Sequence, residues 1–226
     1  MSAETSEGRV SIGKLILVPA VITLAVTIIR LVGELQHWNK ALFNPEAGGP
    51  LSLVGIIWLV PVFGIYFAVK LGGAGAGPSK VGRVFLFVLL AILVNAAGIA
   101  IGVALKLQAG PAFLILSSVA NLISVLVMAK PWPALFKALL AYGLAARIPV
   151  AILMLFAIRG NWGTHYDAAP PNLPEMSWLM KWVLIGVLPQ MCLWIAATVI
   201  LGSLFGAIAA LFTSRGKAGE RAVAVS

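Results

Sequence analysis

The chain has 226 residues, 61% of them hydrophobic and 10% charged, with a net charge of +9 and one cysteine. Soluble domains average about 45–50% apolar and about 25% charged residues, so a water-soluble globular domain is excluded and a membrane protein is expected. The single Cys192 excludes an intrachain disulfide and a thiolate metal cluster.

Residues 1–14 are polar and end in Arg9 and Lys14, ahead of an apolar run from Leu15 to Ile29. The layout is that of a signal peptide, but no small-residue cleavage site follows, so a retained first helix over about 13–35 is expected. Its polar residues Thr23, Thr27, Arg30 and Glu34 are spaced by four, three and four, which puts them on one face. His37 extends this stripe, and Arg30 and Glu34 can pair across one turn. Such a stripe is expected to face the bundle, or else to line a wet path inward from one surface.

Residues 36–50 form an outer loop punctuated by Asn44-Pro45 and Gly48-Gly49-Pro50. A second helix follows over about 51–70, in which Pro61 frees the carbonyl of Ile57 and is expected to kink the span. The glycine-rich turn at 72–78 lacks the Gly-Lys-Ser/Thr and the preceding strand of a phosphate-binding loop. The third helix, about 82–106, lines up Asn95, Gly98 and Gly102. The fourth, about 112–129, lines up Ser117, Asn121 and Ser124. Small and polar residues repeated on one face predict a close helix–helix contact.

Pro131-Trp132-Pro133 leads into a fifth helix over about 134–158. Between Lys137 and Arg159 it is apolar except for Tyr142 and Arg147. That stretch is about 33 Å long at the helical rise, close to the thickness of a bilayer core, and places Arg147 near the midplane. A central arginine costs roughly 2.5–3.5 kcal/mol on insertion scales, so it must face protein or water. Gly143 and Ala151, one turn away on either side, let another helix approach the guanidinium.

A second outer loop, 159–177, contains His165, Asp167 and much proline and glycine. The two outer loops are expected to fold against each other. The last apolar tract, from Trp178 to Phe212, is too long for one straight span. An interfacial segment at 175–184, anchored by aromatic rings, and a sixth span over 184–212, opened or kinked at Pro189-Gln190, are expected. Gly202 and Gly206 repeat the Gly98/Gly102 spacing, and either step offers a face for a second copy of the chain.

The reading is all-α: one transmembrane domain over 1–226, a single bundle of six helices. Six spans put both termini on one side. That side carries ten basic residues (Arg9, Lys14, Lys70, Lys80, Arg83, Lys130, Lys137, Arg215, Lys217, Arg221) against five on the other (Arg30, Lys40, Lys106, Arg159, Lys181). The positive-inside rule then places both termini in the cytoplasm of a prokaryotic-type plasma membrane. Lipid, including anionic lipid, is the expected partner of the basic charge, and nucleic acid is not.

No acid lies deep in a span, which disfavours carboxylate-driven proton coupling and intramembrane aspartyl proteolysis. No GxSxG, HExxH or Walker motif occurs, so no catalytic residue is assigned and no cofactor is expected. Two groups of polar residues remain. A midplane set of Asn95, Asn121, Arg147 and Gln190 is the candidate solute site. An outer set of Arg30, Glu34, His37, His165 and Asp167 is a candidate metal or enzymatic site if its histidines meet. The first expectation is a small transporter or channel-like protein for a polar or anionic solute. The alternative is a non-catalytic assembly subunit of a membrane complex, and a membrane enzyme acting through the outer loops comes third.

Overall fold

A computed structural model describes residues 10–46, 55–107, 110–170 and 173–224, with side chains described as far as Thr213. The helices are α1 (Ile12–Leu35), α2 (Leu59–Gly73), α3 (Val81–Ala104), α4 (Pro111–Met128), α5 (Pro133–Gly160), α6 (Trp178–Lys181) and α7 (Trp194–Ala224). Wider π-helical turns over Trp182–Val187 and Pro189–Leu193 join α6 to α7. No strand occurs among the described residues. Among the described residues, five stretches are long and apolar enough to cross a membrane: α1, α3, α4, α5 and the continuous helix Trp178–Thr213; α2 is shorter, at 15 residues. The chain is a polytopic all-α membrane bundle. Leu17, Leu93, Leu126 and Phe156 are each more than half exposed. A soluble monomer does not tolerate so much exposed apolar surface, whereas lipid solvates it.

Helix ends follow local chemistry. Ser11 caps α1, and prolines open α4 and α5 at the first helical positions, where a missing N–H costs nothing. Asn161 closes α5 in the left-handed conformation. Trp132 donates its indole N–H to the carbonyl of Ala76 at 2.7 Å, which ties the glycine-rich turn to the start of α5.

The second helix differs from its sequence reading. It begins at Leu59 after turn residues at 55–58, and 51–54 lie outside the described residues. Pro61 therefore sits in the first turn, where its N–H would have no intrahelical acceptor. The last tract is helical without a break from Trp178. Pro189 cannot donate to the preceding turn, and the π-helical turns around it absorb the irregularity.

Glycines set the tightest packing. Gly64 of α2 lies so close to Gly202 of α7 that a Cβ there would stand 2.5 Å from the Gly202 carbonyl oxygen. Gly206 packs against Leu135 and Ala68. Gly98 and Gly102 of α3 are covered by Ala120 and Phe113 of α4. Both glycine steps, expected to offer a face to a second copy, thus close contacts within the chain. On the α3/α4 seam the Asn95 amide donates to Ser124 Oγ at 2.8 Å, and the Ser124 hydroxyl donates to the Ala91 carbonyl at 3.0 Å. Together α2, α5 and α7 enclose the main core around Phe67, Leu135, Leu139 and Val199.

Candidate functional site

The α1 stripe is buried: Thr23, Thr27 and Glu34 are all at most 3% exposed. Each of these residues meets a polar group from α5 or from the loop after it. Thr23 Oγ1 lies 2.8 Å from the Tyr142 hydroxyl. The Thr27 carbonyl accepts from the Tyr166 hydroxyl at 3.3 Å. Glu34 accepts from Arg30 Nε at 2.9 Å and from the His165 backbone N–H at 2.9 Å. A polar column therefore runs inward along α1 from the end of the bundle.

At its outer end, Glu34 ties three elements together. The His165 Nδ1 lies 2.7 Å from Glu34 Oε2, and Arg30 Nη2 donates to the Asn44 carbonyl at 3.3 Å. Both outer loops thus dock on the last turn of α1. Phe43 of the first loop lies against Gly33, where a Cβ would collide with the ring. Asp167 accepts from the backbone N–H groups of Gly163 and Thr164 and from the Thr164 hydroxyl, which locks its own turn. His37 departs from the expected cluster: it is exposed on the turn after α1, with φ 52°, and its side chain takes no part. The left-handed turn that ends α1 swings it off the stripe. Among the described residues no group of three or more His, Cys, Asp or Glu side chains is placed to hold a metal ion.

Burial is the largest influence on the His165 imidazole and lowers its pKa; the hydrogen bond to Glu34 opposes this, and the Arg30 charge adds to the lowering. Arg30 already neutralises Glu34, so the imidazole contact is a hydrogen bond from the neutral ring, with the proton on Nδ1 because an ionised carboxylate only accepts. The folded state thus resists a proton that the unfolded chain takes up near the ordinary histidine value of about 6.5. The unfolded state binds more protons in that window, so stability must fall as pH drops through it. Thermal melting followed from about pH 7 to about pH 5 is expected to fall more steeply for the wild type than for His165→Gln. Equal slopes would remove His165 from the account.

Sequence reasoning missed Tyr166. Burial pushes its phenol pKa well above the ordinary range, while the Arg30 and Arg147 charges are both near enough to pull it back. This residue links the outer cluster to the inner one.

Arg147 stands in the middle of α5, fourteen residues after Pro133 and thirteen before Gly160, and is 5% exposed. Its guanidinium lies over the Trp194 ring, 4.8 Å from the centroid. Its one hydrogen bond among the described residues runs from Nη1 to Gln190 Oε1 at 3.5 Å, and Nε is buried with no partner. Gln190 Nε2 has only the Met154 sulfur, at 3.7 Å. The Trp182 indole, on the same irregular stretch, donates to the Ala151 carbonyl at 2.8 Å and pins that stretch to α5. Of the amides expected beside Arg147, Gln190 is there. Asn95 is bound to Ser124, and Asn121 donates to the Ser117 carbonyl of its own helix at 2.8 Å. Both amide N–H₂ groups are engaged within α3 and α4, and among the described residues neither amide bonds to the arginine. Trp194, one turn after Gln190, was overlooked, although the spacing of four residues puts both on one face.

The outcome is a buried guanidinium whose donors outnumber its partners: among the described residues its five N–H groups find one long hydrogen bond, to the Gln190 side-chain carbonyl oxygen, while the Gln190 N–H₂ turns to the Met154 sulfur. Such a set can hold an anion or the oxygen atoms of a polar solute. Fold and site together define a multi-helix membrane protein with an acceptor-poor arginine at mid-depth. No known protein family, curated protein or solved structure matches the chain.

Proposed function

We propose that the chain is a small transporter or channel-like protein for an anionic or polar solute, with Arg147 as the binding charge and Gln190 and Trp194 holding it in place. The observation that carries this reading is the buried Arg147 Nε without a partner. An unpaired charge in a low-dielectric interior is costly, and a bound anion offsets that cost by accepting from the planar fork. In this reading both termini face the cytoplasm of a plasma membrane, following the excess of basic residues on that side. The experiment is to purify the chain, titrate it with halide, nitrate, carboxylate and phosphate salts, and follow thermal stability. Flux of any stabilising anion is then measured in proteoliposomes. A ligand at 100 times its Kd stabilises by about 2.7 kcal/mol, which melting detects easily. If no anion stabilises the protein and none crosses, the reading fails. The assembly-subunit reading has one observation in its favour: Arg147, Trp194, Gln190 and Met154 also form a contiguous contact between α5 and the last helix.

A further inference from the structure

On the side of the bundle where α3 pairs with α4, an apolar groove of about 530 Å³ is lined by Phe87, Leu90, Leu93, Val94, Ala97, Val127 and Lys130. Its lining on α3 runs from Phe87 to Ala97, ten residues, or about 15 Å of helix. That is about half the thickness of a bilayer core, the depth of a single leaflet. One end of the groove is basic. Lys130 lines it directly, at the turn that follows α4. Arg83, in the first turn of α3, stacks over the ring of Phe87 at 5.4 Å, so its charge is held beside the same end. Among the described residues neither cation is paired with a carboxylate, since the ion pairs there involve only Glu34. The other end of the groove stops near mid-span and is wholly apolar.

A one-leaflet apolar channel with two unpaired cations at its surface end matches the shape and charge of one lipid molecule. We propose that this groove binds one anionic phospholipid, with its phosphate between Lys130 and Arg83 and an acyl chain along Phe87 to Ala97. The site is separate from Arg147 and does not depend on the function proposed for it.

The test uses the full chain in nanodiscs of phosphatidylcholine, with phosphatidylglycerol of the same acyl chains added stepwise. Bound lipid is counted by native mass spectrometry, and thermal stability is followed in parallel. The wild type is expected to retain one phosphatidylglycerol and to gain stability from it. Each of Lys130→Gln and Arg83→Gln is expected to weaken retention about fivefold, the effect of about one interfacial cation. Ala97→Trp keeps both charges but fills the groove; because Ala97 is exposed, the variant should melt like the wild type in phosphatidylcholine. It is expected to lose the bound lipid. If Ala97→Trp retains phosphatidylglycerol as the wild type does, the groove is not the site. Equal retention of phosphatidylcholine overturns the proposal, as does a dimer that Ala97→Trp dissociates, which would make a second copy the occupant.

Discussion

Arg147→Leu is expected to abolish anion-dependent stabilisation and flux while leaving the ligand-free protein as stable as the wild type or more so. The reason lies in what surrounds the guanidinium. It has one long hydrogen bond to Gln190, a ring face from Trp194 and a buried Nε with no partner. A charge so poorly compensated adds little to stability, and replacing buried charged groups by apolar ones of similar size is often neutral or stabilising by about 1–4 kcal/mol. Leucine is shorter and gives up the contact with Trp194, so the space it leaves offsets part of that gain. Gln190 then loses its charged donor but retains Met154. Arg147→Lys is the sharper companion: it preserves the charge but not the fork, so anion affinity should fall even though electrostatic attraction survives. Melting curves with and without the stabilising anion separate the two readings. If Arg147→Leu lowers the ligand-free melting temperature by several degrees, the arginine holds helices together, and the assembly-subunit reading takes the place of the transport one.

The sequence made the inner face of α1 legible because period and polarity agree there. Thr23, Thr27, Arg30 and Glu34 recur at helical spacing in an otherwise apolar run, and nothing but a protein interior can face them. The partners on the other side were not legible. Tyr142 and Tyr166 are ordinary residues in sequence, and only the packing of α5 and its loop against α1 brings them to Thr23 and Thr27. Depth in the membrane predicted Gln190 beside Arg147 but also suggested Asn95 and Asn121, which α3 and α4 use for each other and for their own backbone. Depth can be counted along a chain; the direction a helix face points depends on which helix is its neighbour. The same limit explains the glycines. The Gly202/Gly206 step was visible as a close-contact signal, but its partner step, Gly64 and Ala68, has only one glycine and emerges from the α2/α7 crossing.

That crossing gives the largest stability effect expected in the molecule. In Gly64→Ala the new methyl would stand 2.5 Å from the Gly202 carbonyl oxygen and 2.7 Å from its Cα. Both obstacles are backbone, so no rotamer change relieves the clash and α2 must move away from α7. Overpacking a well-filled interior costs about 1–3 kcal/mol and occasionally more. Alanine regains about 1 kcal/mol of helix propensity over glycine; with two backbone clashes the overpacking cost lies at the upper end of its range, which leaves a net loss of up to about 2 kcal/mol. The damage should extend beyond the crossing, because α7 and the π-helical turns before it carry Trp194 and Gln190. Gly72→Ala is the control: it lies in the last turns of the same helix, a Cβ there meets nothing within 4 Å, and the same propensity gain should leave it neutral or slightly more stable. Gly202→Ala should fall between them, since its methyl meets the Leu139 side chain, which can turn aside. Thermal melting of the three variants in one detergent orders them. If Gly64→Ala melts with Gly72→Ala, the two backbones do not approach this closely and the α2/α7 contact is looser than described.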